Sequence, residues 1–267
     1  MNPFAYEFMR HAFLACTIVS IVAGAIGYFL VMRGETFAGH ALSHVGFPGA
    51  TGAALIGVSP FVGLTVTTVL AGLAMALIGE RAQRDVAIGI VLTFSLGLGL
   101  LFLHFYTAYA SLATNILFGN VLGISADTVA GLAGLGAFTL VALAACARPL
   151  VFASLQPELA EARGVGLTGV SALFMLLVAL STAQTIQIVG VLLNFALLVT
   201  PAAAALRLTQ TIATGVATSV VLAVATAWIG LALAFYTDWP TSFWITTVGS
   251  ATYLIATTVS RRRGSLA

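Results

Sequence analysis

The 267-residue sequence contains no lysine, because all ten of its basic residues are arginines. A phosphate-binding loop of the GxxxxGK[ST] type needs a lysine, so the chain cannot itself be an ATPase of that class. Enzymes that hold pyridoxal phosphate as a lysine imine are excluded for the same reason. Any ATP-driven step that involves this chain therefore needs a separate ATPase.

Charge of either sign is scarce. Charged residues make up 7% of the sequence, against about 25% in an ordinary soluble domain, while hydrophobic residues make up 60%. Ten basic and eight acidic residues leave a net charge of +2, which is too small and too balanced for a nucleic-acid-binding protein. The composition is typical of an integral membrane protein.

The chain has two cysteines, Cys16 and Cys146, and both stand in apolar stretches. They form no CxxC pair and no cysteine-rich framework, so neither redox chemistry nor a disulfide scaffold is indicated. Residues 13–16 faintly resemble a lipoprotein cleavage box, but Glu7 stands where the leader would be basic. We expect the first apolar segment to be retained.

The hydrophobic pattern predicts an all-α fold, a polytopic transmembrane helical bundle of eight or nine spans. A bilayer core about 30 Å thick needs roughly 20 apolar residues per helix. The charged residues lie between or at the edges of nine such segments, which are residues 11–32, 37–57, 60–79, 86–106, 128–147, 167–184, 188–206, 212–235 and 243–260. Residues 188–206 follow the preceding segment almost without a loop and contain Pro201, so either a full crossing or a broken helix fits them. No polar domain interrupts residues 1–267, which we interpret as a single transmembrane domain.

The arginines predict the orientation. If Arg33 is cytoplasmic and every segment crosses, nine arginines lie on the cytoplasmic side and only Arg10 lies on the other. This positive-inside asymmetry puts the C-terminus in the cytoplasm. Aromatic rings near the outer ends should lie at the lipid–water interface; they are Tyr106, Tyr236, Trp239 and Trp244.

The second segment carries the least usual feature, His40 and His44 within FAGHALSHVGFPG. Residues four apart share one helix face. Two imidazoles can share a divalent cation, and a symmetric dimer with this face on its axis would offer four nitrogen ligands, an arrangement that suits zinc. Alternatively, each histidine donates to a carbonyl or to a hydroxyl such as Ser43 and only packs helices. Ionisable groups at membrane depth usually mark a pathway, which favours the ligand interpretation.

Two other classes of protein compete with this interpretation. An intramembrane metal-dependent enzyme is one, because HxxxH is the zinc-binding half of HExxH. Here Ala41 stands in place of the general-base glutamate, so hydrolysis is disfavoured. A proton-coupled secondary transporter is the other, but it would normally carry a buried carboxylate, and none of the eight acids stands in the middle of a predicted span.

Five stretches of the sequence resemble the permeases of metal-type ABC importers, which take up zinc, manganese and iron. They occur in the family's order and are FAGHALSHVGFPGA, DVAIGIVLTFSLGLGLL, ILFGNVLGIS, QPELAEARGV and VGVLLNFALLVTPAAAALR. The resemblance implies a dimer of permeases in a prokaryotic plasma (inner) membrane, two cytoplasmic ATPase subunits and an extracytoplasmic metal-binding protein that delivers the ion. It also implies that the permease is not an enzyme and that the divalent metal is its substrate rather than a permanently bound cofactor.

The family usually shows Asp-x-x-x-His in the second helix, and its metal-coordinating positions map onto His40 and His44. His40 is therefore a departure from the family pattern. Imidazole in place of a hard, anionic carboxylate shifts the expected preference from manganese toward zinc. We also expect weaker and more pH-dependent binding, since a protonated imidazole cannot coordinate a metal.

A cytoplasmic loop over residues 148–166 contains a predicted amphipathic helix with a proline at its start and a glycine at its end. The resemblance implies that this helix docks into the ATPase, with contacts from Pro157, Glu158, Glu161, Arg163 and Gly164. The alternative is a solvated helix that only connects two spans. We also expect Asp85 to cap the N-terminus of the fourth span.

Three further residues are candidates for the lining of the route. Ser43 lies between the two histidines, Asn194 is a polar residue inside an apolar segment, and Pro201 frees a backbone carbonyl. Hydrogen bonding between packed helices is the alternative role for these groups.

Overall fold

The computed structural model describes residues 3–78, 81–105 and 115–264, and every regular element in these ranges is helical. Residues 115–118 form a short helical stretch that is not numbered among the helices below. Pro3–Ala5 and Val121–Gly123 form two short 3-10 helices. Those ranges hold eleven α-helices: α1 (Glu7–Met32), α2 (Thr36–Leu55), α3 (Pro60–Leu77), α4 (Arg81–His104), α5 (Ala126–Leu155), α6 (Pro157–Ala162), α7 (Leu167–Val189), α8 (Val191–Leu198), α9 (Thr200–Leu208), α10 (Ile212–Thr237) and α11 (Thr241–Gly264). The predicted all-α class is confirmed.

Six of these helices are long and apolar enough to cross a membrane: α1, α3, α4, α5, α7 and α10. The nine predicted segments correspond to these six together with α2, α11 and the pair α8–α9. In α2 the two histidines and several glycines lower the hydropathy of a helix that is itself 20 residues long. Length and apolar character alone therefore identify six candidate spans in the described ranges.

Two helices form the centre of the bundle. In α1 and α7, 72% of the most apolar 18-residue stretch is buried inside the bundle, against 22–33% of the corresponding stretch in the other four long apolar helices. Those four helices expose large apolar side chains such as Leu70, Phe94, Val141 and Val221. An apolar outer surface around a packed interior is what a lipid environment requires.

Glycines allow the backbones of neighbouring helices to approach closely. A methyl group at Gly49 of α2 would overlap with the carbonyl oxygen of Gly63 on α3, and one at Gly63 would overlap with the carbonyl of Gly49. Gly27 of α1 leaves the same kind of space for the carbonyl of Leu198 on α8. These contacts hold α2 against α3 and α1 against the end of α8, by the small-residue packing that membrane helices use in place of a hydrophobic driving force.

Of the two interpretations of residues 188–206, the structure shows the broken helix. Gly190, with φ +83°, separates α7 from α8, and Val199 separates α8 from α9. Pro201, in the first turn of α9, has no N–H to donate to a carbonyl of α8. The eight residues of α8 are therefore a separate short helix, packed against α2.

Three helices meet at Arg33, which follows α1. Its guanidinium pairs with Glu35 (3.0 Å) and donates to the hydroxyls of Ser154 at the end of α5 and Ser171 at the start of α7, each at 3.0 Å. It also lies over the ring of Phe174, 5.3 Å from the ring centroid. We call this end of the bundle the Arg33 end.

Two details differ from or extend the sequence predictions. The expectation that Asp85 caps the fourth span is wrong, because α4 already extends from Arg81 and Asp85 is at least its fifth residue, beyond the first turn.

Trp239 and Trp244 stack at the end opposite Arg33, with ring centroids 5.6 Å apart, and Tyr236 beside them is exposed. Tyr106 lies outside the described residues.

Candidate metal site

The two histidines of α2 lie side by side. One helical turn apart, the rings of His40 and His44 have centroids 4.8 Å apart and meet edge to face at 76°. Both side chains are half-buried. The first turns of α2 thus present two imidazoles on one face, close enough to contact the same small ion.

The short helix α8 covers part of this face. The ring of Phe195 meets His40 edge-on, with centroids 5.3 Å apart and an interplanar angle of 84°. The sequence analysis did not identify Phe195, because an apolar residue in an apolar segment gives no signal of a contact with a distant histidine. The break at Gly190 brings this residue to α2.

The neighbouring residue of α8 makes a second contact with α2. Nδ2 of Asn194 donates to Oγ of Ser43 at 2.6 Å, and Ser43 in turn donates to the carbonyl of Gly39 at 3.3 Å. Both Asn194 and Ser43 are completely buried. A buried polar link between α8 and α2 therefore lies directly beside the histidine pair.

Two buried acceptors in this region have no hydrogen-bond partner within the described part of the chain: Nδ1 of His44 and Oδ1 of Asn194. A buried polar atom left without a partner costs about 1–3 kcal/mol. Such atoms fit the chemistry of a cation site, since an imidazole nitrogen and an amide oxygen both offer a lone pair.

One chain supplies few of the side chains that usually ligate metals. No group of three or more His, Cys, Asp or Glu side chains that could hold a metal ion occurs among the residues described. A four-coordinate ion held at His40 and His44 would need ligands from elsewhere, such as a second copy of the chain.

The third predicted pathway residue lies in another helix. Pro201 is buried in the first turn of α9, beyond the break at Val199, whereas Ser43 and Asn194 contact each other beside the histidines. The structure thus brings together two of the three pathway candidates and leaves Pro201 in the helix that follows them.

The predicted docking helix is present as α6. Pro157 stands in its first turn, and Gly164 follows it with φ +81°. Ala160 is completely buried, while the exposed side of the helix and its C-terminal turn carry Glu158, Glu161 and Arg163. The helix packs on α5 and α7, next to the serines that Arg33 contacts.

The chain matches known proteins along almost its entire length. A model of the ABC 3 transport family matches residues 5–260. The chain is 32% identical over 264 residues to the manganese transport system membrane protein MntC of Halalkalibacterium halodurans, covering 98% of this chain and 90% of that protein. It is 29% identical over 269 residues to the chelated iron transport system membrane protein YfeC of Yersinia pestis, covering 100% of this chain and 91% of that protein.

A solved structure has the same fold. PsaBC from Streptococcus pneumoniae, in complex with a Fab, superimposes with a TM-score of 0.85 at 28% identity, covering 94% of this chain and 91% of that one. The helical bundle and these matches define the class of protein: a membrane permease subunit of an ABC transporter, which is not itself an enzyme. The chain belongs to the ABC 3 transport family.

Proposed function

We propose that this permease carries a divalent transition metal, zinc in preference to manganese or iron, and that the ion contacts His40 and His44 during its passage. The observation that carries the proposal is the pair itself: two imidazoles 4.8 Å apart inside a membrane bundle, one of them with a buried nitrogen that has no partner in the described ranges. The names of MntC and YfeC, which refer to manganese and iron, support transport of a metal of this class.

The preference for zinc follows from the chemistry of residue 40. The family usually has an aspartate at this position, and its anionic oxygen suits manganese, which prefers hard ligands. Imidazole nitrogen is a softer donor and favours zinc. A neutral pair of rings also binds a dication less tightly than a pair that contains a carboxylate, which suits a site that must release the ion.

The remaining ligands would come from a second copy of the chain. Two permeases that face each other across a two-fold axis, each with its histidines on the axis, would provide four nitrogens around one ion. The half-buried state of both rings supports this arrangement, because part of each imidazole remains accessible in the single chain.

ATP hydrolysis would be performed by two separate cytoplasmic subunits, because this chain has no lysine for a phosphate-binding loop. The exposed side of α6, with Glu158, Glu161 and Arg163, would contact them, so the Arg33 end and the C-terminus would lie in the cytoplasm of the cell. A metal-binding protein outside the plasma membrane would deliver the ion to the opposite end.

Reconstitution tests the proposal. The permease and its ATPase are placed in lipid vesicles, and ATP hydrolysis and metal uptake are measured with Zn²⁺, Mn²⁺ and Fe²⁺ supplied separately. Zn²⁺ should give the largest stimulation of both, and an ATPase inactivated by mutation should abolish uptake. Uptake that persists with the inactive ATPase would contradict an ABC importer, and a larger response to Mn²⁺ or Fe²⁺ would contradict the preference for zinc.

A further inference from the structure

The amide of Asn194 is held in one orientation. Ser43 uses its hydroxyl hydrogen on the carbonyl of Gly39, so the lone pairs of its oxygen face the Nδ2 hydrogens of Asn194. This arrangement assigns the nitrogen of the amide to the side of Ser43. The oxygen, Oδ1, is consequently directed away from that hydrogen bond.

Unpartnered buried acceptors with fixed geometry are few. Within the described ranges, seven buried side-chain atoms have no hydrogen-bond partner, and four of them are hydroxyl oxygens that can rotate toward a neighbour. The other three are Nδ1 of His44, Oδ1 of Asn194 and Oε1 of Gln184. Two of the three belong to α2 and α8, the helices that the hydrogen bond from Asn194 to Ser43 joins.

Buried polar atoms in proteins are nearly always paired. An unpaired nitrogen on His44 and an unpaired oxygen on Asn194, whose partner Ser43 is the residue before His44, therefore call for one occupant that accepts electron pairs from both. A divalent cation does so, and a neutral amide oxygen is a harder donor than imidazole.

We infer that Oδ1 of Asn194 is an oxygen ligand of the transported ion, held in place by Ser43, and that it sets how well manganese competes with zinc. This inference rests on the proposed function, since it assumes that the ion contacts the histidine pair. Asn194 would supply the oxygen contact that the imidazole of His40 does not, but without the negative charge of a carboxylate.

The test uses the complete permease–ATPase complex in lipid vesicles, with Zn²⁺ or Mn²⁺ as the only metal. Asn194→Asp adds a hard, anionic oxygen and should raise the ratio of Mn²⁺ to Zn²⁺ uptake by at least about tenfold, and Asn194→Leu should lower uptake of both ions, and of Mn²⁺ more, by a similar factor. Ser43→Ala removes the hydrogen bond that holds the amide of Asn194, so it should also lower the ratio of Mn²⁺ to Zn²⁺ uptake.

Gln184 provides a matched control. Its amide is also completely buried, donates to the hydroxyl of Thr139 at 3.3 Å and leaves its oxygen unpartnered in the described ranges, but it faces α5 rather than α2. Gln184→Met therefore removes a comparable buried amide without touching the proposed site. It should leave the Mn²⁺ to Zn²⁺ ratio unchanged, whatever its effect on the amount of folded protein.

The outcomes separate the inference from the function on which it rests. If His44→Ala transports both ions like the parent, the proposed site is wrong. If His44→Ala abolishes uptake but both Asn194→Asp and Asn194→Leu keep the parental ratio, the inference alone is overturned and Asn194 only packs helices. If the Asn194→Asp complex does not assemble, Asn194→Ser replaces it in the test. Its shorter side chain should lower the ratio of Mn²⁺ to Zn²⁺ uptake, and a parental ratio would overturn the inference.

Discussion

The guanidinium of Arg33 donates a 3.0 Å hydrogen bond to Oγ of Ser154, which joins the residue after α1 to the last turn of α5. The proposed docking helix, α6, begins at Pro157, immediately after that turn, and α2 begins at Thr36, just after the Arg33–Glu35 ion pair. The helix with the histidines and the helix proposed to touch the ATPase are therefore linked through one side chain.

Replacing Arg33 should destabilise the folded bundle. Arg33→Met removes the ion pair and the bonds to Ser154 and Ser171, and it leaves Glu35 without this partner in a site where only 10% of the side chain is exposed. We expect the free energy of unfolding to fall by about 2 kcal/mol. This corresponds to a fall of about 5 °C in the unfolding temperature of the detergent-solubilised protein. Glu35→Gln, which keeps the bonds to both serines, should have a smaller effect. Equal unfolding temperatures for Arg33→Met and the parent would contradict this role.

Restoring the carboxylate in α2 should change the choice of metal. His40→Asp replaces one imidazole by a hard, anionic ligand beside His44, so the ratio of Mn²⁺ to Zn²⁺ uptake should rise by about tenfold. Uptake of each ion into vesicles measures this ratio. His40→Ala and His44→Ala should abolish uptake of both ions while the complex with the ATPase still assembles. Full transport by both alanine variants would refute coordination by the pair.

The charges on the exposed side of α6 should control assembly with the ATPase. Reversing them in the double variant Glu161→Arg, Arg163→Glu leaves the buried Ala160 in place but changes the charge pattern that a partner would meet. We expect co-purification of the ATPase to fall at least about tenfold, equivalent to about 1.4 kcal/mol of binding energy. Asp127→Arg, an exposed charge reversal in the first turn of α5 at the opposite end, is the control. Undiminished co-purification of the α6 variant would argue that this helix only connects α5 and α7.

The close contact between α2 and α3 leaves no room for an added methyl group. Gly49→Ala would overlap with the backbone of Gly63, and overpacking of this kind typically costs about 1–3 kcal/mol. Gly134→Ala serves as a control, because a methyl group at that position of α5 meets no atom within 4 Å. Thermal unfolding in detergent should separate the two variants; similar curves would show that α3 can move away from α2 at little cost.

Features that depend on local spacing could be predicted from the sequence. The shared face of His40 and His44 follows from the helical period, and the short helix α6 follows from its proline and glycine. Pro201 made a broken helix one of the two interpretations of residues 188–206. Each of these signals needs only a few neighbouring residues.

Contacts between distant helices could not be predicted in this way. The hydrogen bond from Asn194 to Ser43 spans 151 positions, and the pairing of Phe195 with His40 depends on the direction that the chain takes after Gly190. Hydropathy also failed to locate the start of α4, because its first residues include charges while the helix itself continues through them.

The two junctions that bound α8 have a consequence for the histidines. Gly190 at one end and Val199 at the other separate the eight residues of α8 from α7 and α9. Asn194 and Phe195, which contact α2, both belong to this short helix. The direction that the chain takes between the two junctions therefore decides which side chains stand beside the imidazoles.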